Sequence, residues 1–260
     1  MMYSIDSLTL ISGIDVPIPE IGVNIHQPTI REIAYIGEKS FYEAAQTIII
    51  QKEDFINRLE NITQEDKTAL SQMSNFEIFL KLVEANPLSN TKVQMLLSLL
   101  FPDFNSSIEE RFIFLVNPKE QKNILINDNN FEILQEVITT ILCLQSGNTK
   151  EEFNPQGDRA REIAEKIKRG RERAARLKGE KRQQSSFLSK YISGLGIGTN
   201  TLNIHNVLDL TLYKLLNQLE RYGLYTQYNI SIQAKMAGAK DVEDVDWLKD
   251  IENKKEVEHK

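Results

Sequence analysis

The chain has 260 residues, with 31 Lys+Arg against 37 Asp+Glu, so its formal net charge is −6. Hydrophobic residues make up 41% and charged residues 26%, ordinary globular values that exclude a wholly disordered or collagen-like chain. The one cysteine, Cys143, excludes an internal disulfide and a cysteine-rich zinc site; its neighbours Ile141, Leu142 and Leu144 predict a buried, inert thiol. No run approaches about 18 apolar residues, so no membrane-spanning helix is expected. A basic start followed by a long apolar run is missing too, so no signal peptide is expected.

The first 27 residues carry Val and Ile in short runs broken by Gly13, Pro17, Pro19 and Gly22, which predicts two or three short strands or extended segments. Pro28-Thr29 opens a helix. Thr29 and Glu32 have capping-box spacing, and Ile30, Ile33, Ala34, Phe41, Ala44, Ala45 and Ile48 form its apolar side, with Gly37 as a weak point inside it. Residues 52–60 read as a short amphipathic helix. Ser74 and Glu77 form a second capping box, and that helix must end before Pro87, because a residue preceding proline disfavours the helical conformation. From Thr91, Val93, Met95, Leu96, Leu97, Leu99 and Leu100 predict a helix buried on most sides, closed by Pro102.

Arg111–Asn117 and Asn123–Asn127, separated by Pro118–Lys122, predict a hairpin. Asp128-Asn129-Asn130 turns into a helix through Phe131, Leu134, Ile138, Ile141 and Leu142, ended by Ser146-Gly147-Asn148. Residues 1–147 therefore read as an N-terminal α+β domain and 148–157 as a polar linker.

Residues 158–182 hold 11 Lys+Arg and 5 Asp+Glu. This basic connector of +6 leaves −12 for the rest of the chain. Ala160, Ile163, Ile167, Gly170, Ala174 and Leu177 recur at spacings 3, 4, 3, 4, 3, a narrow coiled-coil-type seam. Glu162–Lys166, Glu165–Arg169 and Glu172–Arg176 are acid-before-base pairs at helical spacing. The pattern fits a solvated helix bridging two domains, or a docking helix for an acidic protein partner. Nucleic-acid binding is disfavoured by the interspersed glutamates and the lack of interleaved aromatics.

Residues 183–251 read as a small helical domain. Phe187, Leu188, Tyr191, Ile192 and Leu195 form one face, and Gly194, Gly196 and Gly198 read as a hinge. These glycines lack the preceding strand and acidic partner of a dinucleotide fingerprint. A helix opens near Asp209 or Thr211 with Leu212, Leu215, Leu216, Leu219 and Tyr222 on one face, and Gly223 is a candidate interruption. A further stretch over 224–237 carries Tyr225, Tyr228, Ile232 and Met236, with Gly238 as its C-terminal cap. Asp241 starts a final short helix holding Trp247 and Leu248, and residues 252–260 form a frayed tail. The stripe over 212–236 suits either a core or an interface, where a tyrosine offers an apolar ring with a polar tip.

His26, His205 and His259 have no metal-ligand spacing; a structural hydrogen bond is expected of His26. No Gly-x-Ser-x-Gly elbow is present. No enzyme activity, cofactor or metal is expected.

Three stretches, QPTIREIAYIGEKSFYEA (27–44), GDRAREIAEKIKRGRERAARLKG (157–179) leading into SSFLSKYIS (185–193), and LTLYKLLNQLERYGLYTQYNISIQAKMAGAKDVEDVDWLKDI (210–251), together resemble the tail assembly chaperones of long-tailed bacteriophages and prophages of low-GC Gram-positive bacteria. The resemblance implies a non-enzymatic role in the host bacterial cytoplasm during virion assembly. Such proteins hold hydrophobic segments of the helical tape-measure protein until tail-tube subunits polymerise around it. It implies the tape-measure protein as partner, with tail-tube subunits and self-association as further contacts, and no membrane. The alternative is a structural tail or baseplate component retained in the virion, and behind it a nucleic-acid-binding regulator using the basic helix. Expected partner contacts are Arg169, Arg173 and Arg176 on the basic helix, and Tyr213, Leu216, Tyr222, Tyr225 and Tyr228 on the C-terminal one. The expected fold is predominantly helical α+β.

Overall fold

The computed structural model describes residues 3–59, 63–144, 187–199, 202–239 and 242–248. The fold is mixed α+β, with small antiparallel sheets and a helical C-terminal region. The linker 148–157, the basic segment 158–182 and the tail 252–260 lie outside the described residues.

The chain begins with a short helix, α1 (Ser7–Ser12), that the sequence reading does not anticipate; Asp6 caps it by accepting from the Leu8 N–H. Strands β1 (Val16–Ile18) and β2 (Val23–Ile25) then pair antiparallel, with Val16 opposite Ile25. Alternation along them buries Val16, Ile18, Val23 and Ile25 and exposes Pro17 and Asn24, as a one-sided sheet requires.

The Thr29–Glu32 capping box forms and opens α2 (Ile30–Ile36). The helix does not continue through Gly37. That residue has φ +87°, a conformation glycine adopts without the Cβ clash, and a new helix, α3 (Glu38–Ile49), starts beyond it. After α4 (Lys52–Arg58) comes α5 (Gln64–Gln72), which buries no residue and so has no apolar periodicity to announce it. The Ser74–Glu77 box opens α6 (Asn75–Ala85), which stops before Pro87 as expected.

Helix α7 (Pro87–Leu100) starts earlier than Thr91. Asn86 accepts from the Leu88 and Ser89 N–H groups, and Pro87 takes the first helical position, where its missing N–H costs nothing. The predicted hairpin is present as β4 (Ile113–Asn117) and β5 (Lys122–Ile126), with Leu115 opposite Ile124. The Asn117 side chain accepts from the Lys119 and Glu120 N–H groups and shapes the turn. A third strand, β3 (Asn105–Ile108), pairs with β4; its two serines hide it from a hydrophobic reading.

Helix α8 (Phe131–Ile141) ends before the Ser146 expected to stop it. Leu142 closes it, and Cys143 follows with φ +49°. Cys143 is exposed rather than buried, because the helix ends before the apolar face could turn it inward. Inside, the Phe131 ring lies 4.8 Å from Phe76 and 5.0 Å from Phe79, centroid to centroid. Buried Gln135 donates to the carbonyls of Ile48 and Ile50, satisfying groups that the end of α3 leaves without helical partners.

The C-terminal region holds α9 (Phe187–Gly198), α10 (Ile204–Val207) and α11 (Leu212–Met236). Gly194, Gly196 and Gly198 are not a hinge; they lie within α9. Gly223 does not interrupt α11, which runs unbroken for 25 residues. Residues 242–248 are irregular, with a turn at Trp247-Leu248 in place of the expected helix. Leu188, Leu195, Val207, Leu212, Tyr213 and Leu215 are buried in the same hydrophobic cluster as Phe41, Leu96 and Phe131. The C-terminal helices thus share one core with the N-terminal region.

Candidate protein-interaction surface

Helix α11 is fixed at one end by a backbone junction. Thr29 and Thr211 form an isolated antiparallel bridge. The Ile30 and Arg31 N–H groups, in the first turn of α2, donate to the carbonyls of Leu210 and Leu208, both at 2.9 Å. The Leu212 N–H, in the first turn of α11, donates back to the Pro28 carbonyl at 3.2 Å. First-turn donors have no intrahelical acceptors, so each helix start here satisfies the other. Arg31 adds an ion pair to Asp209 at 2.8 Å, and Lys214 donates to the Ser12 carbonyl at 2.7 Å.

From this anchor the helix changes character. Leu212, Tyr213 and Leu215 are buried, and Leu216 and Leu219 pack against the core from partly buried positions. Among the described residues, the core and the side chains packed on it include no hydrophobic residue of α11 beyond Leu219. Tyr222 reaches back to α9: a Cβ on Gly198 would sit 2.7 Å from its hydroxyl oxygen, so the ring end would have to shift to admit a side chain there. Tyr225, Ile230, Ile232 and Met236 are exposed, Met236 at 83%.

All of these but Ile230 are ordered. Tyr222, Tyr225, Asn229, Ile232 and Met236 recur at spacings 3, 4, 3, 4, which places them along one helix face as a two-heptad seam. Asn229 is its polar position, a residue type that can set register between paired helices. At 1.5 Å per residue, the stretch from Glu220 to Met236 is about 25 Å long. It carries no carboxylate between Tyr222 and Met236.

Residues 242–248 return along this part of the helix. Trp247 packs edge-on against Tyr225, with centroids 5.3 Å apart, and tilts toward Tyr228 at 6.5 Å. Arg221 donates to the Trp247 carbonyl at 3.1 Å, and Lys235 pairs with Asp244.

Of the expected contact residues, Tyr213 is only 7% exposed and serves the core. Leu216 and Tyr228 are half-buried, and Tyr222 and Tyr225 are exposed. Arg169, Arg173 and Arg176 lie outside the described residues. Met236, Arg221, Lys235 and Trp247 complete the surface and were not among the expected contacts. Of these only Met236 continues the 3-4 spacing beyond Gly223, a signal obscured by taking that glycine as a candidate interruption; the others follow no such spacing.

His26 sits far from this surface in sequence. It makes the expected structural contacts: Nδ1 lies 3.0 Å from Asp15 and Nε2 3.2 Å from Glu32. Burial pulls the imidazolium down, but the hydrogen bonds to Asp15 and Glu32, and their charges, outweigh it and leave a raised pKa. Among the described residues no group of His, Cys, Asp and Glu could hold a metal ion, and no helix is long and apolar enough to cross a membrane.

Residues 180–252 match the family model described as YomV second domain, a phage-derived family. The match spans α9, α10, α11 and the segment folded back on α11. No curated protein and no solved structure matches the chain.

Proposed function

We propose that the chain is a phage tail assembly chaperone that binds the tape-measure protein and keeps it soluble while the tail tube polymerises. The observation that carries the reading is the distal part of α11. It is a formed helix with its apolar seam outward and its other end locked into the core. Such a face suits a helical partner, which can lay its own apolar stripe into it. The resemblance to tail assembly chaperones and the phage-derived family match support the same context.

The test is co-expression with a phage tape-measure protein. The tape-measure protein is expected to co-purify and remain soluble, and an Ile232→Asp, Met236→Asp double variant is expected to lose it while staying folded. Failure to co-purify, or retention of the chain at stoichiometric level in purified particles, overturns the chaperone reading. The second outcome favours a structural tail component instead.

A further inference from the structure

We infer that the face of α11 beneath residues 242–248 is the partner-docking face, and that this segment is a built-in placeholder which the partner displaces. The inference rests on the reading of the chain as a partner-binding protein and adds where the partner binds and what chemistry it carries.

The segment reads Val242-Glu243-Asp244-Val245-Asp246-Trp247-Leu248. It is an acidic peptide with one large aromatic residue. It is held by the three contact types that α11 offers there: rings for the Trp247 indole, Lys235 for a carboxylate and Arg221 for a carbonyl. The helix is matched to that charge, because between Tyr222 and Met236 it has a lysine and no carboxylate.

The cover is partial. Tyr225 remains 46% exposed beneath the indole, and Ile232 and Met236 stay exposed beside it. Leu248, on the segment itself, is 67% exposed. A cover of this kind is a weak occupant that a longer ligand can outcompete, since a partner reaching Ile232 and Met236 buries apolar area that the segment leaves in water. The partner it fits carries an aromatic residue flanked by carboxylates and continues as an apolar stripe.

Trp247 is the only tryptophan in the chain, so its emission reports on this segment alone. In the full-length chain, Tyr225→Ala and Lys235→Glu are each expected to red-shift that emission and to raise its acrylamide quenching at least about twofold. Quenching unchanged in both variants overturns the placeholder. A labelled peptide copying Val242–Leu248, added at millimolar concentration because it lacks the tether that raises its effective concentration, is expected to bind the Trp247→Ala chain at least about fivefold tighter than the wild type. Equal affinity for the two chains, including none for either, overturns the inference. Tape-measure segments that bind the wild-type chain are expected to red-shift Trp247 as they do so. Binding with unmoved emission overturns the inference and leaves the proposed function standing. If no tape-measure segment binds, the proposed function fails and the peptide experiment still decides the inference.

Discussion

The two parts of α11 are written in similar residues and have opposite surroundings. Leu212–Leu219 and Glu220–Met236 both mix Leu, Ile or Tyr with amides at helical spacing. The first part is enclosed because the junction of residues 28–31 with 208–211 brings the N-terminal core against it. Along the second, among the described residues, Gly198 and the returning segment 242–248 come close. Apolar spacing therefore fixes which face of a helix is greasy, and long-range backbone pairing fixes whether that face is core or surface.

The comparison is most sharply tested by truncating one side chain in each part. Leu215→Ala removes a fully buried side chain and is expected to cost about 2–5 kcal/mol, the range for large-to-small core changes. Ile230→Ala, at a position 60% exposed, is expected to stay within about 0.5 kcal/mol. Urea denaturation of both variants checks this. A cost at Ile230 comparable to that at Leu215 would show the distal part of the helix to be enclosed in the folded chain.

The second effect concerns the junction that creates the difference. Thr29→Ala deletes the capping oxygen that accepts from Glu32 N–H, and Thr211→Ala deletes the one that accepts from Lys214 N–H. Each is expected to cost about 1 kcal/mol, typical of losing an N-cap. Because the two residues bridge each other, their effects should not add. A double-variant cycle in thermal melts reads the coupling, and strict additivity would mean that the two caps act separately.

These elements also mark what the sequence could reveal. The capping boxes at Thr29 and Ser74, the hairpin register and the buried faces of α6, α7 and α8 rest on local rules, and local rules act within a few residues. The expectations that needed correction depend on something farther away or on a residue read in one role only. Pro87 ends one helix and starts the next. Gly37 breaks a helix, whereas Gly223, with ordinary backbone angles inside α11, does not. Strand β3 exists because β4 offers it an edge, and α5 has no buried face to leave a pattern. The candidate surface was half legible: Tyr222 and Tyr225 stand on it, while Tyr213 is drawn into the core by a junction formed with residues far back in the chain.

A smaller effect is expected from the ion pair above that junction. Arg31 and Asp209 are 48% and 64% exposed, so Arg31→Ala should cost no more than about 1 kcal/mol, declining with added salt. A large, salt-independent loss would mean that Arg31 acts through its stem packing on α10 rather than its charge.

The smallest effect is a pH dependence at the same end of the molecule, and its sign is fixed by geometry. His26 stands between two carboxylates, each within hydrogen-bond reach of one ring nitrogen. Both nitrogens donate only in the imidazolium, so the folded chain favours the protonated form and the pKa lies above its ordinary 6.5. A group whose pKa is raised by folding stabilises fully below its unfolded value and loses that contribution as pH rises through the folded one. Glu32 runs the other way. Burial raises its pKa, but hydrogen bonds from the Thr29 N–H and hydroxyl, and then from His26, bring it below its ordinary 4.5, so its contribution is lost as pH falls through that lowered value. Between about pH 4.5 and 6.5 both contributions are present. The stability difference between wild type and His26→Gln, measured by urea titration from pH 5 to 9, should therefore be greatest at the acid end and shrink as pH rises above about 6.5. With the imidazole a quarter exposed and Asp15 half exposed, the swing should be under about 1 kcal/mol. A difference that grows with pH would mean that the ring is held neutral and that one of the two carboxylates faces it without a proton between them.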